Sequence, residues 1–293
     1  MKCKAMNILV AVDEKYLEPL SVMLYSLVCH NRGIFSIYIL HFDIPLRKQL
    51  EFQKKTLNWN KGLKNVYFIQ AKREDFAGIG EDTRYRQEAN LRLLILKLLP
   101  VNVSKILWLD IDIIIKGNIQ EFYEYPDKGQ YALVCEDMFP RNEKRDTLKR
   151  IGMRQNERYF NSGVMLLYLK NIRSVYDEAY FISFLRNNKQ KMKYPDQSVL
   201  NICLKRRLVW AAPEIYNLQL LRADRRDKLK IRRSINKAKI LHYNTKEKPW
   251  DCDYDGILEL QYWKYGVRVL GIRRCVQHLL DRMVDITWRK RND

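Results

Sequence analysis

The sequence predicts an α/β protein built on an open, mostly parallel sheet with helices on both faces, and three observations carry that prediction. Through the N-terminal third, short apolar runs that read as buried strands alternate with segments of helical spacing, an order that right-handed crossovers turn into a parallel sheet. Near the middle, the run Ile106-Leu107-Trp108-Leu109-Asp110-Ile111-Asp112-Ile113-Ile114-Ile115 reads as a strand buried on both faces yet carries two carboxylates. An ionised Asp in a dry core is strongly disfavoured unless paired or metal-bound, so Asp110 and Asp112 mark where the strand surfaces. In an open α/β sheet that place is the carboxyl edge, where ligands bind. Finally, 293 residues with 47% hydrophobic content suffice for one large core, or a core with an appendage.

Taken in order, Asn7 to Val12 reads as the first strand, Asp13 to Tyr16 as a polar turn and Leu17 to His30 as a helix. Asp13 therefore lies at a strand end beside a helix N-terminus, where it either caps the helix or contacts a nucleotide. Ile34 to His41 is a second strand, Leu46 to Asn58 a helix and Val66 to Gln70 a third strand. Thr83 to Leu99 is expected as one helix with Leu91, Leu94, Ile95 and Leu98 on its apolar stripe. Arg92 lies off that stripe, as a surface charge or as a partner for the acidic site that the helix feeds.

Tyr131 to Cys135 is a further strand, ending in Glu136 and Asp137. The basic stretch from Phe139 to Arg158 reads as a mobile flap, and Phe160-Asn161-Ser162-Gly163 leads into a strand from Val164 to Leu169. Tyr194-Pro195-Asp196-Gln197 opens a helix, with Asp196 in the first turn where a carboxylate suits the macrodipole. Leu208 to Ala211 and Ile240 to Tyr243 are short strands, and Leu220 to Lys239, dense in Arg and Lys, reads as a solvated helix or loop. From Ile272, the residues Ile272, Cys275, Val276, Leu279, Met283 and Ile286 recur at three and four with basic residues between them. That pattern is a basic amphipathic helix, flanked by Tyr262, Trp263, Tyr265 and Trp288, which either docks on the domain or lies on a membrane surface. We expect a catalytic domain over residues 1–250 and this basic segment over 251–293.

In extended chain, Asp110 and Asp112 would point to one side about 7 Å apart, so sharing an ion requires a sharp bend after Asp110. Two hard oxygen ligands then suit a divalent cation of the Mg²⁺ or Mn²⁺ type. The 54 Lys and Arg against 34 Asp and Glu give a formal charge of +20, which favours anionic partners. Nucleic acid is not expected among them, because aromatics do not interleave with the basic runs and no known module is present. The six cysteines form no C-x-x-C pair, so reduced thiols in a cytosol are expected rather than a zinc site or disulfides. The first apolar run ends at Asp13, too short for a secretory signal, and no stretch reaches the roughly 18–20 apolar residues of a spanning helix. A soluble or peripheral protein is expected.

Taken together, these motifs resemble the family-eight retaining glycosyltransferases, nearest to the bacterial lipopolysaccharide galactosyl- and glucosyltransferases, over almost the whole chain. Ala11-Val12-Asp13 through Tyr16 is similar to the family's nucleotide-binding loop, Arg92 to its helix arginine and Asp110-Ile111-Asp112 to its metal motif. Ile151-Gly152-Met153 and Tyr159 to Val164 are similar to its acceptor-side loop and strand. Asp196-Gln197 resembles its catalytic pair, and His242 through Lys248-Pro249-Trp250 its H-x-x-G-x-x-K-P-W close.

The resemblance implies a GT-A fold, a UDP-galactose or UDP-glucose donor, Mn²⁺ with Mg²⁺ as alternative, and a glycan or glycolipid acceptor such as lipopolysaccharide core. It implies a metal held by Asp110, Asp112 and His242. Nucleotide contacts fall to Ala11, Asp13, Tyr16, Arg92, Asp110, Ile111, Thr245 and Lys248, and the donor sugar to Asp137, Asn161, Asp196 and Gln197. It also implies location at the inner face of the cytoplasmic membrane, reached through the basic C-terminal helix. Three residues depart from the pattern: Thr245 replaces the usual Gly, Lys15 a small amide, and Ile111 a smaller residue. A β-branched residue at 245 is expected to reshape donor binding, and a catalytically weakened nucleotide-sugar binder is the alternative function.

Overall fold

The computed structural model describes residues 5–59, 61–77, 79, 87–220, 228–254 and 257–292, with only the backbone described at 87, 228–232 and 284–292. Its strands are β1 (Met6–Ala11), β2 (Phe35–His41), β3 (Leu63–Gln70), β4 (Ile106–Leu109), β5 (Ile113–Ile115), β6 (Ala132–Glu136), β7 (Phe160–Leu167), β8 (Leu208–Ala211), β9 (Leu218–Gln219) and β10 (Ile240–His242). Among the described residues they form a seven-stranded sheet, β3-β2-β1-β4-β7-β6-β8, and a three-stranded sheet, β5-β10-β9. The larger sheet is parallel except at β7, which runs antiparallel to both β4 and β6.

The principal helices are α1 (Leu17–His30), α2 (Leu46–Leu57), α3 (Arg141–Arg150), α4 (Pro195–Leu204), α5 (Lys228–Lys237), α6 (Glu259–Leu270) and α7 (Ile272–Asn292). Pro195 opens α4 at the first helical position, where its missing N–H costs nothing. The two faces of the large sheet bury separate apolar clusters. Leu9, Trp108 and Met165 look to one side, while Ile8, Leu107 and Leu166 look to the other, as strand alternation requires.

Four expectations change. The apolar run from Ile106 is two strands in two sheets: β4 stops at Leu109, and after the aspartates Ile113–Ile115 pairs antiparallel with β10. The stretch Phe139 to Arg158 is not a loop-like flap but carries α3, whose buried Thr147 and Leu148 give a charged helix one apolar anchor against Met153 and Tyr159. The helix expected over Thr83 to Leu99 is broken where described, into Gln87–Asn90, a 3₁₀ turn Leu91–Leu94 and Ile95–Leu98; residues 83–86 lie outside the description. The tighter turn rotates Arg92 inward, to 4% exposure. Lastly, β7 begins at Phe160, so Asn161, Ser162 and Gly163 belong to the strand itself. The basic stretch Leu220 to Lys239 contains α5, and residues 221–227 within it lie outside the description.

Helix α6 shares a third apolar cluster with α1 and β5, in which Val22, Ile114, Tyr243, Tyr262, Trp263 and Tyr265 meet. The stripe expected on α7 divides between two surroundings. Cys275 is buried toward α6, and beside it His278 lies 4.4 Å from the Trp263 ring centroid. Ile272, Val276, Leu279 and Met283 are exposed, and the side chains of Ile286 and Trp288 lie outside the description.

Candidate active site

Strand order reverses between β1 and β4, which are parallel neighbours with Ile8 opposite Leu107 and Leu9 opposite Trp108. A crevice at their carboxyl ends follows from that reversal. Asp13 leaves β1 there and its Oδ1 accepts the Tyr16 N–H at 3.2 Å, so it does cap the short helical turn. It also lines a cavity of about 200 Å³, together with Ala11, Tyr16, Arg92, Asp110, Ile111, Asp112 and Lys248. Thr245 is not among the lining residues. Val12 and Trp250 from the quoted motifs, Trp108 from the apolar run, and Glu88 and Ala89, which no motif includes, also line the cavity, and Trp250 meets Tyr16 edge-on at 6.0 Å.

The bend between β4 and β5 is pinned from both sides. The Asp110 N–H donates to the Gly163 carbonyl, and the Tyr243 N–H to the Asp112 carbonyl, each at 2.8 Å. One ligand atom from each of Asp110, Asp112 and His242 then lies within 4.8 Å of the others. His242 Nε2 stands 3.3 Å from Asp112 Oδ1 and 4.0 Å from Asp110 Oδ2. Asp110 Oδ1 is taken by Trp108 Nε1 and by Arg92, both at 2.9 Å, which turns Oδ2 toward the imidazole. Arg92 also lies 4.5 Å above the Trp108 ring, so the indole supports both partners of the pair.

This donor set fits a divalent cation of the Mn²⁺ or Mg²⁺ class: two hard carboxylate oxygens and one imidazole nitrogen converge at the edge of an open cavity. The cradle leaves no spare room. A Cβ added at Gly163 would lie 2.9 Å from Asp110 Oδ2 and closer still to His242 Cε1.

Lys248 Nζ donates to Asp112 Oδ2 at 2.6 Å, to the Tyr243 carbonyl at 2.9 Å and to the Thr245 carbonyl at 2.5 Å. Burial pushes the Asp112 carboxyl up, but Lys248 and His242 outweigh it and hold the group well below the usual carboxylate range. Thr245 closes its own turn, its hydroxyl donating to the Glu247 carbonyl at 2.6 Å. Among described residues Leu258 is the one non-glycine with positive φ, so Thr245 adopts no left-handed backbone and carries no such strain.

The other four residues form a buried polar cluster beside the acidic centre. Its placement depends on a bulge: pairing of β6 with β7 jumps from Val134–Met165 to Cys135–Asn161, so Ser162, Gly163 and Val164 leave that ladder. Asp137 Oδ2 accepts from Asn161 Nδ2 at 3.2 Å and from Gln197 Nε2 at 3.1 Å. Gln197 Oε1 accepts the Ser162 N–H at 2.9 Å. Asp196 Oδ2 lies 3.0 Å from Arg92 Nε, so one guanidinium joins Asp196 to Asp110. Burial, reinforced by Asp110 and only partly offset by Arg92, raises the Asp196 carboxyl above its ordinary value.

Sequence reasoning missed Trp108 and Asn217 as members of the site and gave Ser162, although within a quoted motif, no role of its own. Trp108 looked like one more core residue in an apolar run. Asn217 carried no signal: it follows a short helical turn, Pro213–Tyr216, and reaches the site through tertiary contacts. Its Oδ1 lies 2.9 Å from His242 Nδ1, and its Nδ2 donates to Asn161 Oδ1 at 2.9 Å.

Comparison with known proteins agrees with this architecture. A lipopolysaccharide 1,2-glucosyltransferase of Escherichia coli K12 is 26% identical over 251 residues, spanning 84% of this chain and 73% of that protein. The lipopolysaccharide glucosyltransferase WaaO of the same strain is 26% identical over 253 residues, covering 84% and 72%. Among solved structures, galactosyltransferase LgtC in complex with donor and acceptor sugar analogues superposes with a TM-score of 0.75 at 22% identity, over 90% of this chain and 96% of that one. The fold is thus the GT-A fold of LgtC, a mixed, mostly parallel seven-stranded sheet with helices around it. The model of glycosyl transferase family 8 matches residues 7–253, most of the chain and every residue of the site described above, and the chain therefore belongs to that family.

Proposed function

We infer that the protein transfers a hexose, galactose or glucose, from a UDP-sugar to a glycan or glycolipid acceptor such as lipopolysaccharide core, with retention at the anomeric carbon. The observation that carries this reading is the convergence of Asp110, Asp112 and His242 at the edge of a cavity that also holds Asp13, Tyr16 and Lys248. Asp13 and Tyr16 stand where a nucleoside would bind, the ring by stacking. Asp110, Asp112 and His242 would hold Mn²⁺ or Mg²⁺, which as a Lewis acid would neutralise charge on the departing diphosphate. Lys248, now on Asp112, would move its ammonium to the same phosphates. Asp137, Asn161, Asp196 and Gln197, buried beside the acidic centre, would orient the sugar. Thr245 without backbone strain favours an active enzyme over a weakened nucleotide-sugar binder.

The reading includes a location: peripheral, on the cytoplasmic face of an anionic membrane. It rests on the +20 charge and on α7, where Ile272, Val276, Leu279 and Met283 are exposed beside the exposed Arg273 and Arg274. Among the described residues no helix is long and apolar enough to cross a membrane. The test of the activity is UDP release from a panel of UDP-sugars with Mn²⁺, with Mg²⁺ and with EDTA. We expect release with UDP-galactose or UDP-glucose, loss in EDTA and loss in Asp112→Asn. Release that ignores EDTA would refute the metal assignment, and no release from any donor would favour the binding protein.

A further inference from the structure

Asn217 is fully buried, and its amide joins the two halves of the site. The orientation of that amide can be deduced outward from a backbone donor. The Gly163 N–H, 3.0 Å from Asn161, must meet an oxygen, which fixes Asn161 Oδ1 at that end and sends Asn161 Nδ2 to Asp137. Asn217 approaches the same Oδ1, so it must present its NH₂ there. Its carbonyl oxygen then faces His242 Nδ1, which must carry the hydrogen of that 2.9 Å bond.

The consequence reaches the acidic centre. With Nδ1 committed to Asn217, the nitrogen that faces Asp112 and Asp110, at 3.3 and 4.0 Å, is Nε2, and it is the one left to ligate. We propose that Asn217 is a positioning residue: it holds His242 as the Nδ1–H tautomer, ready to ligate through Nε2, and ties that ring through Asn161 to Asp137 and Gln197. The inference rests on the metal site proposed above and adds the residue that orients it. Such outer hydrogen bonds to a ligating imidazole set both its tautomer and its direction.

The chain has four histidines, so ring-¹⁵N labelling of the full-length protein gives a readable spectrum, with His242 assigned through His242→Gln. Metal-free protein is followed through a pH series, and the tautomer is read where the two ring-nitrogen shifts report a neutral imidazole. We expect the Nδ1–H tautomer in the wild type. Asn217→Leu removes both hydrogen bonds and should release the ring toward Nε2–H, weakening Mn²⁺ binding about 10–100-fold in a titration without nucleotide. Asn217→Asp keeps an acceptor for Nδ1–H and should retain the tautomer and Mn²⁺ affinity, while its carboxylate repels Asn161 Oδ1 and lowers kcat. The wild-type tautomer needs no variant, so a misfolded variant leaves that arm standing.

An Nε2–H tautomer in the wild type overturns the proposal, as does Asn217→Leu that folds and binds Mn²⁺ like the wild type. Absence of Mn²⁺ binding by folded wild-type protein is a different result. It overturns the reading of the site itself, whereas Mn²⁺ binding indifferent to residue 217 overturns only this inference.

Discussion

Replacing Gly163 with Ala probes how tightly the cation cradle is built. Backbone strain is not at issue, because Gly163 lies in β7 and has no positive φ. The whole effect comes from one methyl group. Its carbon would lie 2.9 Å from Asp110 Oδ2 and 3.0 Å from Asn161 Oδ1, and closer than either to His242 Cε1. Carbon atoms in contact normally stand about 3.5–4.0 Å apart, so the ring must retreat by roughly 1 Å. Metal ligation tolerates only about 0.2 Å, so a displacement of that size takes Nε2 out of the set. We expect Mn²⁺ affinity to fall by about 100-fold, roughly 2.8 kcal/mol, and overpacking to cost about 1–3 kcal/mol of stability.

Titration of full-length protein with Mn²⁺, read by the electron paramagnetic resonance of the unbound ion, gives the affinity, and thermal unfolding in EDTA gives the stability. The double variant with His242→Ala checks the cause: with the ring gone, much of the stability defect of Gly163→Ala should vanish. A Gly163→Ala protein that binds Mn²⁺ within about threefold of wild type would refute the steric reasoning, since a lost ligand would cost far more.

Three further outcomes follow from the same geometry. Asp196→Asn should lower kcat strongly with little change in UDP affinity, whereas Lys248→Ala should weaken UDP binding as well as turnover; the reverse pattern would sink that division of roles. Because the folded-state Asp196 carboxyl is raised, the native state holds its proton longer than the unfolded chain, and stability is lost as pH rises from the ordinary carboxylate value through the raised one. Asp196→Asn in EDTA should therefore melt higher than wild type at neutral pH, with the difference vanishing in acid; a lower melting temperature at neutral pH would contradict this. Finally, replacing Val276, Leu279 and Met283 with Ser should release the protein from anionic liposomes without unfolding it, since these side chains are exposed while Cys275, His278 and Arg282 make contacts with α6. Wild-type binding should weaken with salt, and liposome binding unchanged by the substitutions would exclude this face as the contact.

Features that local chemistry enforces could be read from the residues alone. A continuous apolar run can only be buried, and carboxylates within it must surface, so the place of Asp110 and Asp112 at a sheet edge was legible without coordinates. The start of α4 at Pro195 and the basic amphipathic character of α7 were equally local. The order of motifs, from the Asp13 loop to Lys248-Pro249-Trp250, pointed to the family that the match over residues 7–253 shows.

Other features depend on contacts between distant parts of the chain. The run after Asp112 leaves the large sheet because its partner, β10, lies more than a hundred residues away. Arg92 turns inward because two carboxylates on other elements, Asp110 and Asp196, repay its burial. Asn161, Ser162 and Gly163 reach the site because β7 bulges between two partners, which no pattern within β7 records. Asn217 has neither motif nor periodicity to announce it. A side chain acquires its hydrogen-bond partners when distant strands close on one another, and the sequence around it carries no trace of which groups those will be.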